Sequence, residues 1–111
     1  MEIIYKPKCI VNQHNLTHII TVHGNSMKPI ITNGDKIVTR EINNLNDFYF
    51  GQIYLVVTEN YRMLRYVRKH KDDNFIILKS ANETYDDIEL PKAEIIKLFI
   101  VESVLSIKNM M

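Results

Sequence analysis

Cysteine is almost missing from this chain of 111 residues: Cys9 stands alone, so no internal disulfide can form and no C-x-x-C pair offers a zinc site. A reducing, cytoplasmic setting fits such a chain. Glycine and proline are scarce as well, at three each, and there is no low-complexity tract or linker in which they concentrate, so each reads as punctuation between elements. Charge of one sign is also lacking. Fourteen basic and 13 acidic residues leave a formal net charge of +1, and no overall field argues for nucleic acid or an anionic membrane as partner. No run reaches the roughly 18 apolar residues needed to span a bilayer. The start, Met1 to Ile10, has no long apolar core behind a basic end and does not read as a signal peptide. What is present is ordinary globular composition, 46% hydrophobic and 24% charged, in a length that suits one domain with one modest core.

The stretch that organises the rest is Gly24-Asn25-Ser26-Met27-Lys28-Pro29, closed by Asn33-Gly34-Asp35. A β-like run at 18–23 feeds into Gly24, which admits backbone angles other residues cannot. Pro29 ends any ladder, and Asn33-Gly34-Asp35 turns the chain again before the next apolar run. Ser26 is thereby held between two turns, either as an ordinary turn serine or as a nucleophile beside backbone N–H groups suited to an oxyanion. Asp35 reads as closing its turn rather than as an acid.

Elsewhere the signal is β. Residues 36–40, 52–58, 62–69 and 75–79 are rich in Ile, Val, Leu and Tyr and are separated by polar turns at 43–47, 59–61 and 71–74. The apolar continuity of 52–58 predicts burial on both faces. In 62–69, Met63, Arg65 and Val67 fall on one face, with Leu64, Tyr66 and Arg68 on the other. Residues 80–85 form a loop that Ser80, Asn82 and Tyr85 cap, and the run at 93–107 is one bent strand or two. Residues 1–17 are an N-terminal arm or edge strand, with short strands expected at 3–5 and 9–11, and 18–107 the domain proper. His14 and His18 lie four apart but in a strand-like run without a carboxylate or Cys at ligand spacing, so no metal and no cofactor is expected. The basic run Arg62, Arg65, Arg68, Lys69, His70, Lys71 is balanced by Asp72, Asp73, Asp86, Asp87 and Glu89, and reads as a solvated hairpin rather than a phosphate-binding stripe. The expected class is all-β: several short, coiled antiparallel sheets.

Taken in order, Val22-x-Gly24-x-Ser26-Met27-x-Pro29, Gly34-Asp35, Gly51-x-Ile53-Tyr54, a basic strand, and Leu78-x-Ser80-x-Asn82-x-x-Tyr85 resemble the peptidase domain of LexA, the phage CI-type repressors and UmuD. The likeness covers about residues 18–106 of this sequence. It implies the LexA C-terminal fold, related more distantly to bacterial signal peptidases, and self-cleavage without histidine. A serine Oγ, here Ser26, attacks a peptide bond of its own chain, and a buried neutral lysine takes the proton. Burial can neutralise such a lysine because desolvation disfavours its charged form.

Two departures follow. The position that should carry the lysine is Arg65, and a guanidinium is effectively never a base in a protein. Lys69, Lys71 and Lys79 are the lysines nearest in sequence, at a strand end, beyond it and on another strand. Second, no Ala-Gly or Cys-Gly bond stands before Ser26, since Cys9 is followed by Ile10, and no helix-turn-helix is present. The sequence is then the C-terminal part of a longer repressor or a stand-alone domain. The favoured reading is a repressor-type domain that homodimerises through its C-terminal strand region, with a degenerate site at Ser26 and Arg65, without nucleic-acid or membrane contacts of its own. The alternative is an active autopeptidase whose substrate is its own polypeptide.

Overall fold

The structure, a computed structural model, describes residues 17–45 and 48–106 together with the backbone of residues 3–4 and 8–9. Among these, nine strands form: β1 (Ile3–Ile4), β2 (Lys8–Cys9), β3 (Thr17–His23), β4 (Lys36–Ile42), β5 (Ile53–Val57), β6 (Arg62–Lys69), β7 (Phe75–Lys79), β8 (Ile88–Pro91) and β9 (Lys97–Leu105). A single 3-10 turn, Lys92–Glu94, precedes β9. Every pairing is antiparallel, in the order β1-β3-β4-β9-β5-β6-β7-β8, with β2 also on β3. The all-β expectation holds, and the short sheets run together into one coiled path.

The coil follows from the pattern of the three central strands, whose residues are apolar on both faces. On β5, Tyr54 and Val56 enter one core while Leu55 enters another. The alternation repeats on β6, where Met63 and Val67 separate from Leu64 and Tyr66, and on β9, where Leu98 and Ile100 separate from Phe99. The first core is closed by Ile76, Leu78 and Leu90 from β7 and β8. The second is closed by Ile20, Val22 and Ile37 from β3 and β4, and by Met27 and Ile31 from the connection between them. Each such side chain, fully buried, contributes on the order of 1.5–3 kcal/mol of transfer free energy. The curl also brings β1 close to β6. A bulge opposite Val38 and Thr39 leaves Glu102 without a direct cross-strand partner, and its carboxylate accepts from Arg40 Nε at 2.9 Å.

The sequence reading missed β8. Acidic residues at 86, 87 and 89 with Pro91 at its end disguise a strand that pairs only with β7 and exposes Glu89. The apolar run at 93–107 is one strand, but it starts at Lys97: residues 92–94 turn first, with Ile95 N–H donating to Lys92 O at 3.1 Å. The strands expected at 3–5 and 9–11 correspond to β1 and β2. Residues 5, 10 and 11, His14, and residues 46–47 of the polar loop lie outside the described residues.

Candidate active site

β3 carries Ile20 and Val22 into the second core and ends at His23. Gly24 then takes φ +125° and Gly34 φ +94°, angles that L side chains rarely adopt, and this pair frames the loop. Its two ends are tied. Gly24 N–H donates to Asn33 Oδ1 at 3.0 Å, Gly34 N–H to Val22 O at 2.8 Å, and Val22 N–H to Asp35 O at 2.8 Å. Asp35, itself buried, accepts from Thr32 N–H at 2.9 Å and so closes its turn. Met27 and Ile31 anchor the middle in the core, linked by an Ile31 N–H bond to Met27 O at 2.9 Å. Ser26, next to the first of these anchors, has no solvent-accessible surface. Among the described residues, neither its amide nor that of Met27 donates to a main-chain carbonyl, a condition an oxyanion donor must meet.

Arg65 arrives from β6, 4% exposed, on a strand whose neighbouring residues Met63, Leu64 and Val67 are all buried. Its Nη1 donates to Ser26 Oγ at 2.7 Å and to Leu64 O at 2.8 Å. β6 pairs with β7 only from Tyr66 onward, so Arg65 stands one residue before that ladder begins. The Tyr85 ring lies 5.7 Å from the guanidinium carbon, close enough for a cation–π contact.

The loop after β7 braces the serine from the other side. Ser80 Oγ and Asn82 N–H both donate to Ser26 O, the second at 2.9 Å, and Asn82 Nδ2 donates to Asn25 O at 3.1 Å. The sequence reading gave Ser80, Asn82 and Tyr85 a loop-capping role first and a part in shaping the cleft second. The structure sets them against Ser26, Asn25 and Arg65, and the signal available was their fixed spacing in Leu78-x-Ser80-x-Asn82-x-x-Tyr85. Ser80→Ala is expected to cost about 1–2 kcal/mol by taking one of two donors from the buried Ser26 carbonyl, and Asn82→Ala less, because its side-chain bond to Asn25 O is exposed and its N–H bond to Ser26 O is kept. Urea unfolding checks this: midpoints fall while the slope stays the same.

Among the described residues, no lysine, histidine or carboxylate hydrogen-bonds to Ser26 Oγ. Lys79 points to Asp87, at 3.7 Å, Lys69 and Lys71 are exposed, and Lys36 donates to Thr21 Oγ1 at 2.9 Å. Nor do three or more His, Cys, Asp or Glu gather as metal ligands; the ring of His18 instead meets the edge of Phe99, 5.6 Å between centroids. The arrangement is a serine hydroxyl accepting from a cation. Such a neighbour stabilises negative charge on Oγ but has no lone pair with which to take its proton.

The family model described as Peptidase S24-like matches residues 2–100 of this chain, a span that includes the Ser26 loop and the strand that carries Arg65. The chain belongs to the Peptidase S24-like family. Comparison with the curated proteins finds no match. The S24 assignment agrees with the resemblance to LexA, UmuD and the CI-type repressors, and it covers the loop, β6 and the 80–85 segment alike.

Proposed function

We propose that this S24 domain is the regulatory, dimerising module of a repressor-type transcriptional regulator, with Ser26 retained in the nucleophile position and Arg65 in place of the base. The observation that carries the reading is the 2.7 Å bond from Arg65 Nη1 to Ser26 Oγ. Catalysis of acyl transfer by a serine needs a group that accepts its proton within about 3 Å. Here that place is filled by a donor, and the hydroxyl is fixed as an acceptor. The scaffold around it is nevertheless kept: the loop is pinned at both ends and the serine is braced by Ser80 and Asn82.

A role in assembly gains support from β9. It pairs with β5 only across Lys97 to Ile100, whereas it pairs with β4 as far as Leu105. From Val101 to Leu105 one side of the strand thus lacks a β5 partner, and Val104 and Leu105 are 36% and 45% exposed. An apolar strand edge of this kind is a template for pairing with a second copy. Sedimentation of the chain should give twice the 13.1 kDa monomer mass, and Val104→Asp with Leu105→Asp should return it to monomer without loss of folding. A parent chain that sediments as monomer at 100 µM would remove the dimerisation part of the reading.

A further inference from the structure

The basic residues counted along β6 are balanced by acids in the sequence, but the fold gives two of those acids partners other than Arg68 and Lys69. Asp72 Oδ1 accepts from Asn74 N–H at 2.9 Å within its own turn, and Glu89 lies 2.8 Å from His70 Nε2. Arg68 and Lys69 from the end of β6 and Lys79 from β7 line an open cleft of about 580 Å³, with Arg68, Ile77 and Lys79 on one face of the sheet. Phe50 and Ile77 supply its apolar surface, and Asp87 is its one carboxylate. Neither Ser26, Arg65 nor Tyr85 lines it. Three cations against a single carboxylate leave the cleft at formal +2, and among the described residues Arg68 and Lys69 have no ion-pair partner. Like charges gathered on one concave surface focus a positive field and attract a counter-anion.

The aromatic wall decides which anion. Phe50 is 44% exposed, yet its ring is held: it stacks on Phe48 with centroids 5.9 Å apart and planes 19° from parallel. Phe48 is fixed in turn by the Tyr54 ring at 5.8 Å and by Lys92 Nζ at 5.7 Å. An apolar ring braced from behind and open in front is a stacking platform, and one set beside cations is the combination that binds single-stranded nucleic acid. A simple acidic peptide would satisfy the cations and leave Phe50 uncovered.

We propose that the cleft formed by Phe50, Ile77, Arg68, Lys69 and Lys79 binds a nucleoside phosphate unit, its phosphate on the three cations and its base on Phe50. Net charge spoke against nucleic-acid contact for the chain as a whole; the local excess in this cleft is what net charge averages away. The inference does not depend on the state of the Ser26 site.

The test is fluorescence anisotropy of labelled oligo(dT) titrated with the full chain in 50–300 mM salt, competed by free thymidine and adenosine monophosphates and by a polyglutamate peptide. Binding should weaken with salt along a log–log slope of about −2, from three cations at about 0.7 each. Phe50→Ala should weaken it about 10-fold. Arg68→Ser with Lys69→Ser should weaken it further and flatten the slope to about −0.7. Competition by monophosphates at similar concentration would make the free nucleotide the ligand, and competition only by oligonucleotide would make it the strand; both support the site. The proposal is overturned by absence of binding at 50 mM salt, by binding that Phe50→Ala leaves unchanged, or by polyglutamate binding as tightly as oligo(dT). Circular dichroism of the variants, whose substituted side chains all lie at the surface, keeps a loss of binding separate from a loss of fold.

Discussion

Arg65→Lys is expected to give a chain whose Ser26 reacts with a serine-directed phosphonylating probe at least about 100-fold faster than the parent, the lower end of what a positioned general base contributes. The reason lies in one side chain. Oγ already accepts from Nη1 at 2.7 Å, its loop is pinned, and among the described residues the Ser26 and Met27 amides donate to no main-chain carbonyl. What is missing is a lone pair where the guanidinium now sits. A lysine there serves as base only as the neutral amine, so labelling should rise with pH as the ammonium is lost. Burial disfavours the charged form, so the rise should come below the ordinary lysine range near 10.4. Arg65→Gln, which removes the cation without adding a base, should stay as slow as the parent, and Ser26→Ala in the lysine background should abolish labelling. Intact mass after incubation reads all four. Equal labelling of the glutamine and lysine variants would show that relief of the cation, not supply of a base, controls the serine.

Tyr54→Ala is expected to be the most destabilising single substitution, by about 4 kcal/mol. The ring is fully buried in the first core, on one of the three strands that serve both cores. It meets the Phe48 ring edge-on, and its hydroxyl accepts from Tyr49 N–H at 2.8 Å. Truncation therefore opens a cavity, strips a part-buried amide of its acceptor and loosens the segment that carries Phe48 and Phe50. For a domain of this size the midpoint of thermal unfolding should fall by about 15 °C. Tyr54→Phe, which keeps the ring and removes only the acceptor, should cost about 1–2 kcal/mol. A loss for alanine no larger than for phenylalanine would show that the ring does not anchor the core.

Most of the fold was legible because the strands announce themselves. Residues 52–58 are apolar without interruption, and β5 is indeed buried on both faces. Alternation in 62–69 separated Met63 and Val67 from Leu64 and Tyr66, and the structure sends them to different cores. β8 was not legible, since burial of Leu90 alone, between Glu89 and Pro91, leaves too short a pattern to distinguish from loop. At the site, the ordered blocks pointed to Ser26 and to Arg65, 39 residues apart, but no local rule says that their side chains meet. The same holds for Ser80 and Asn82, whose donors cross to Ser26 and Asn25 only through tertiary packing of the loop after β7 against the loop after β3. The cleft beside Phe50 was hidden for a related reason: charge read along a strand counts neighbours in sequence, whereas Asp72 and Glu89 are turned to other partners.

The measurement that tests the central claim most directly is the intact mass of the parent chain and of Ser26→Ala, incubated side by side from pH 7 to 10. With Arg65 donating to Ser26 Oγ and no base hydrogen-bonded to it among the described residues, both masses should remain unchanged throughout. Fragments from the parent that are absent in Ser26→Ala would contradict the account, because they would require a proton acceptor at Ser26 that Arg65 cannot be.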